Sequence, residues 1–178
     1  MRARLDKRVG WMCVGLAVLL VCAGGLLVWA NQFIGSQVDQ QLSDQMITMP
    51  TEEAIDADEA LSEEDRDALR PFAGDPMNTG PEARAYADNF ILAHMNASTG
   101  GETYSSLGGV VREACADPES EACAEANGMR DTAFKGSTLR GLLLYGYAFA
   151  TMGTIAGLAA IGAFIGALFM ARQISVLE

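Results

Sequence analysis

One histidine, His94, is all that 178 residues provide, and that scarcity removes whole classes of chemistry. A two-histidine, one-carboxylate iron centre or a multi-histidine zinc centre cannot be assembled from one such chain. There is no G-x-S-x-G nucleophile elbow, and Ser105-Ser106-Leu107-Gly108-Gly109 does not supply one. Neither a phosphate loop nor a dinucleotide fingerprint occurs. No run alternates apolar and polar residues in the manner of a half-buried strand. Catalytic residues, cofactors and resident metals are therefore expected to be none. His94 reads as a packing or surface residue on a semi-apolar helical face, and the fold class reads as all-α.

Charge is missing from two long stretches. Val9 to Ala30 is an uncharged run of 22 residues and Gly141 to Ala171 one of 31, whereas ~20 apolar residues suffice to cross a bilayer's hydrocarbon. Both can span. Residues 31–140 between them hold 21 Asp or Glu against 7 Lys or Arg, a formal −14. That sign disfavours nucleic acid as a partner, because phosphate contact needs cations. Arg2, Arg4, Lys7 and Arg8 precede the first run and Arg172 follows the second, and basic residues flanking spans are retained in the cytoplasm.

The expected organisation is two transmembrane helices flanking a small helical extracytoplasmic domain. Residues 1–8 form a cytoplasmic basic tail, 9–30 the first span, 31–140 the acidic domain, 141–171 the second span with an outer extension, and 172–178 a cytoplasmic tail. The location is the plasma membrane, multi-pass, with the lipid bilayer as first partner. Trp11 and Trp29 are separated by ~27 Å of helix at 1.5 Å per residue, which suits one indole at each interface. A cleaved signal peptide is the rival for the first run, since Val28-Trp29-Ala30 roughly fits a cleavage site. The length of the apolar core favours an uncleaved anchor.

Arg140 stands at the head of the second run, followed by Tyr145 and Tyr147. Counted back from Arg172, Tyr145 lies ~40 Å up the helix, at headgroup depth. The two tyrosines fit an interfacial belt, with Arg140 above them to meet lipid phosphate or the acidic domain. No ionisable Asp, Glu, Lys, Arg or His lies within either run, which argues against a proton or ion relay in a single chain. Gly153 with Gly157 and Gly162 with Gly166 form two G-x-x-x-G pairs, the kind of sequence that lets helix backbones approach in lipid. At 100° per residue the first pair faces one way and the second roughly the other. The first is expected to pack near the depth of Ala23, Gly24 and Gly25, leaving the second for another chain.

In the acidic segment, Ile34, Val38, Leu42 and Met46 recur along one helical face, so the first helix is expected to continue outward to about Pro50. Thr51 to Asp67 carries nine carboxylates and one arginine. Asp56 and Asp58 begin a calcium-loop pattern, but the glycine of the tight turn is absent. A solvated acidic loop leading to a short helix is expected, with loose divalent-cation binding left open. Thr79 with Glu82 and Thr99 with Glu102 match capping boxes at helix starts. The first precedes Ala83, Tyr86, Ala87, Phe90 and His94 at helical spacing. Asp117 reads as an N-cap with Pro118 at the first helical position, opening a helix toward the second run with a weak point at Gly136. Cys115 and Cys123 flank that turn, and a disulfide between them would contribute roughly 2 to 3 kcal/mol by loop closure. Free thiols or a redox pair are the alternatives, although the spacing is not C-x-x-C.

The stretches QVDQQLSDQMITMP, ARAYADNFILAHM and FKGSTLRGLLLYGYAF resemble a family of uncharacterised actinobacterial two-span membrane proteins. The resemblance implies two spans around a helical extracytoplasmic segment, and it implies no activity and no catalytic residue. An actinobacterial source would make the sequon Asn96-Ala97-Ser98 a chance match. The expected function is that of a structural or interaction protein of a cell envelope, an accessory subunit with a membrane-protein partner or self-association. The alternative is a sensor or binding module whose acidic domain takes a cation or cationic ligand.

Overall fold

The computed structural model describes the backbone of residues 2–177 and the side chains of residues 8–173. The side chains of Arg2, Arg4 and Lys7 fall outside the described residues. The order is α1 (Arg2–Ser43), α2 (Glu52–Ala57), α3 (Glu63–Leu69), a 3-10 turn (Arg70–Phe72), α4 (Gly80–Ala85), a π-helix (Tyr86–Ile91), α5 (Leu92–Thr99), α6 (Tyr104–Ala114) and α7 (Glu121–Leu177). The chain is all-helical, and among the described residues the sole extended pairing is an antiparallel bridge between Thr48 and Pro76. Two compact units result, one of Met1–Gln37 with Phe149–Glu178 and one of Val38–Ala148. α1 and α7 each contain a segment long and apolar enough to cross a membrane.

The first unit is an antiparallel helix pair whose seam is small on one side. A Cβ built on Gly153 would stand 3.1 Å from Ile34 Cγ2, on Gly157 3.1 Å from Asn31 Nδ2, and on Gly24 3.0 Å from the Phe164 ring. Ala160 and Ala167 are buried along the same line. Gly153, Gly157, Ala160, Phe164 and Ala167 alternate steps of four and three, a repeat of 3.5 that winds the pair left-handedly. Asn31 donates from Nδ2 to Gly153 O at 2.8 Å.

Two expectations are corrected here. Gly157 lies opposite Asn31, and Gly24 opposite Phe164, so the register differs from one that levels Gly157 with Ala23 to Gly25. Gly166 is not on a free face either, because Leu20 Cδ1 would lie 3.2 Å from its Cβ. A straight helix at 100° per residue drifts about 20° per heptad from the 3.5 seam, and that drift brings Gly166 round toward the seam. Gly162 meets nothing within 4 Å.

The second unit buries Met49, Ile55, Leu69, Met77 and Leu107 completely. α1 stops at Ser43 instead of reaching Pro50, and Met46 is an exposed turn residue at φ 51°. Val38 and Leu42 remain buried on its inner face. The bridge then pins the loop, with Met49 N donating to Asp75 O and Met77 N to Ile47 O, both at 2.9 Å. In the acidic stretch α2 forms where a solvated loop was expected, and α3 is the short helix to which that loop was expected to lead. Thr51 accepts from Ala54 N at 3.3 Å, while Ser62 and Asp65 complete a capping box at the start of α3.

Glu82 at the start of α4 accepts from both Asn78 N and Thr79 N at 2.8 Å. Thr99, by contrast, ends α5 and does not begin a helix. Gly100 and Gly101 take φ of 64° and 82°, a left-handed stop that suits residues without Cβ, and Thr103 with Ser106 caps α6. α7 starts at Glu121 with Ser120 Oγ accepting from Cys123 N at 3.2 Å, so Asp117 belongs to the preceding turn. The helix continues through Gly136, whose missing side chain admits Met95.

Candidate functional site

Gly80 to Thr99 is one helical stretch with a π segment in its middle, a feature that re-aims side chains and recurs at functional sites. Arg84 and Asp88 lie on either side of the change of winding. Asp88 Oδ1 accepts from the Arg140 guanidinium at 2.8 Å, and Asp88 Oδ2 stands 3.7 Å from Arg84 Nε. Arg84 also donates from Nη1 to the Tyr147 hydroxyl at 3.0 Å, and its guanidinium lies over the Tyr147 ring at 4.9 Å. Two cations thus share one carboxylate beside a phenol. Arg140 Nε is buried without a hydrogen-bond partner, which leaves Asp88 as the acceptor that holds this guanidinium.

A second line of contacts leaves the π segment in the other direction. Tyr86 stacks on Phe90 at 4.8 Å and Phe90 meets His94 at 4.3 Å between ring centroids. Burial raises the pKa of the Tyr86 phenol. His94 Nδ1 donates to Phe90 O at 2.8 Å, and Nε2 stands 3.0 Å from Asp58 Oδ2. Both ring nitrogens are engaged within the chain.

Arginines hold together the acidic stretch in which Asp58 lies. Arg66 donates to Ile55 O at 3.2 Å and Asp58 O at 2.9 Å, closing the end of α2. Arg70 reaches Asp56 at 3.0 Å and Glu63 at 3.4 Å and also contacts Asp67. Its pKa is raised, first by the hydrogen bond to Asp56. Among the described residues no group of three or more His, Cys, Asp or Glu could hold a metal ion.

Cys115 and Cys123 are disulfide-bonded, with Cα atoms 4.5 Å apart, and tie the end of α6 to the start of α7. Asn127 Nδ2 donates to Cys123 O at 2.9 Å and supports the same corner. Cys13 and Cys22 are free. Trp11, Trp29 and Tyr145 are exposed, Trp29 stacking on Phe33 at 5.4 Å, and Arg172 is exposed at the far end of α7. Gly153 and Gly157 are in the helix seam, Gly166 at its edge and Gly162 in the open. Arg84, Asp88 and Asn31 carry contacts that sequence reasoning missed. The i,i+4 spacing of Arg84 and Asp88 was a readable signal, but nothing local joins either to Arg140.

No family model, curated protein or solved structure matches this chain. The functional reading therefore rests on the side chains themselves.

Proposed function

We propose that this protein is a two-span membrane protein with both termini in the cytoplasm, its helical Val38–Ala148 unit outside, acting as a structural or interaction subunit of a cell envelope. The observation that carries this reading is the engagement of its ionisable groups with one another. His94 is held at both nitrogens, and Arg66, Arg70, Arg84 and Arg140 are turned to carboxylates or carbonyls of the same chain. Such pairs fix a shape and offer no poised nucleophile or base. The two apolar helices support the membrane location, and the uncharacterised actinobacterial family named above is of the same two-span type.

The topology has a direct test. A reporter active only in the cytoplasm should work when fused after Glu178, and one active only outside should work near Asn78. The opposite pattern would overturn it. The interaction reading is tested by co-purification in mild detergent. Gly162→Ile should diminish recovery of a membrane-protein partner, or of a second tagged copy, while insertion is unchanged. Equal recovery would remove this face and leave association to the acidic unit. A cation-binding module is the second reading, suggested by the carboxylates of Thr51 to Asp67. A rise in melting temperature on adding calcium would favour it over the first.

A further inference from the structure

The geometry points to the Arg84, Asp88, Arg140 and Tyr147 cluster as a binding site for the phosphate of an anionic phospholipid headgroup. Three observations converge on it. Asp88 is the carboxylate shared by two guanidiniums, so the cluster keeps one positive charge in a segment that is otherwise strongly acidic. Arg84 contacts Asp88 only at 3.7 Å and its side chain is 56% exposed, which leaves donors of its fork for a ligand. Guanidinium forks match phosphate oxygens in pairs of parallel hydrogen bonds. Tyr147 anchors the fork from below through its hydroxyl and its ring.

Depth is the third observation. Tyr147 lies ~37 Å up α7 from Arg172 at 1.5 Å per residue, and its side chain leans further toward the helix N-terminus. That puts the Arg84 guanidinium at the outer headgroup layer of a bilayer ~40 to 45 Å thick. Arg84 comes from a different helix, α4, so the site is a tertiary construction and not a flanking charge of the span.

This inference rests on the membrane reading above, and the test separates the two. The full chain is reconstituted in nanodiscs of phosphatidylcholine alone or of phosphatidylcholine with phosphatidylglycerol, after alkaline extraction has established insertion. Wild type should melt several degrees higher with phosphatidylglycerol, and retain that lipid in native mass spectra. Arg84→Gln should bind it about tenfold more weakly, the equivalent of one charge-assisted hydrogen bond, and Arg84→Lys should recover part of the loss. Arg70→Gln removes a cation bound elsewhere and should leave the lipid response intact.

An inserted wild type indifferent to phosphatidylglycerol would overturn the site, as would an Arg84→Gln response equal to wild type. An equal shift from inorganic phosphate in detergent would overturn the lipid assignment. Failure of wild type to insert would instead overturn the membrane reading on which the site depends.

Discussion

Replacing Gly157 with isoleucine is expected to destabilise the α1 and α7 pair by about 2 to 4 kcal/mol, from overpacking together with a lost interhelical hydrogen bond. The reason is geometric. A Cβ at this position already falls 3.1 Å from Asn31 Nδ2, and Asn31 is the donor to Gly153 O. A β-branched side chain has one favoured rotamer in a helix and cannot swing clear, so the helices must separate or the amide must leave its acceptor. Unfolding of the full chain by SDS in mixed micelles, followed through Trp11 and Trp29, measures the loss. Gly162→Ile is the comparison, because nothing stands within 4 Å of its Cβ, and it should stay within about 0.5 kcal/mol of wild type. Equal effects from the two substitutions would show that the seam is not where these contacts place it.

Leu69→Ala is expected to cost the Val38–Ala148 unit about 2 to 5 kcal/mol, the range for removing a fully buried leucine. Leu69 is the buried residue of α3, which packs against the π segment. Its loss leaves a cavity beneath a helix only two turns long, with little apolar area elsewhere to hold it. Near-ultraviolet circular dichroism of the full chain in mild detergent should register the earlier melting through Tyr86 and Tyr104. Met46→Ala, at a residue 89% exposed, should leave the midpoint in place. A Leu69→Ala protein that melts with wild type would remove Leu69 from the core.

Sequence pattern carried the helices and little of their wiring. Long uncharged runs identified the apolar parts of α1 and α7, and periodicity identified the outer turns of α1 and the stretch of α4 with α5. The cysteine pair was legible because eight residues across a turn is a local distance. Local signals also misled. Thr99 to Glu102 has the letters of a capping box, yet paired glycines at positive φ stop a helix more strongly than a threonine begins one. The first part of the acidic stretch looked like a solvated loop because repulsion among its carboxylates was visible, while Arg66 and Arg70 engaging that part from the following helix and turn was not. Pairings such as Asp88 with Arg140, 52 residues apart, leave no trace in any window, and neither does a π segment.

Asn31 has a consequence for the order of assembly. As the chain is made, α1 is complete while the whole Val38–Ala148 unit and the end of α7 are still to come. Until Gly153 arrives, the Asn31 amide lacks the carbonyl it finally binds, and in an apolar medium it would keep a water or a transient partner. The bond that finally satisfies it thus waits on a carbonyl 122 residues further along the chain.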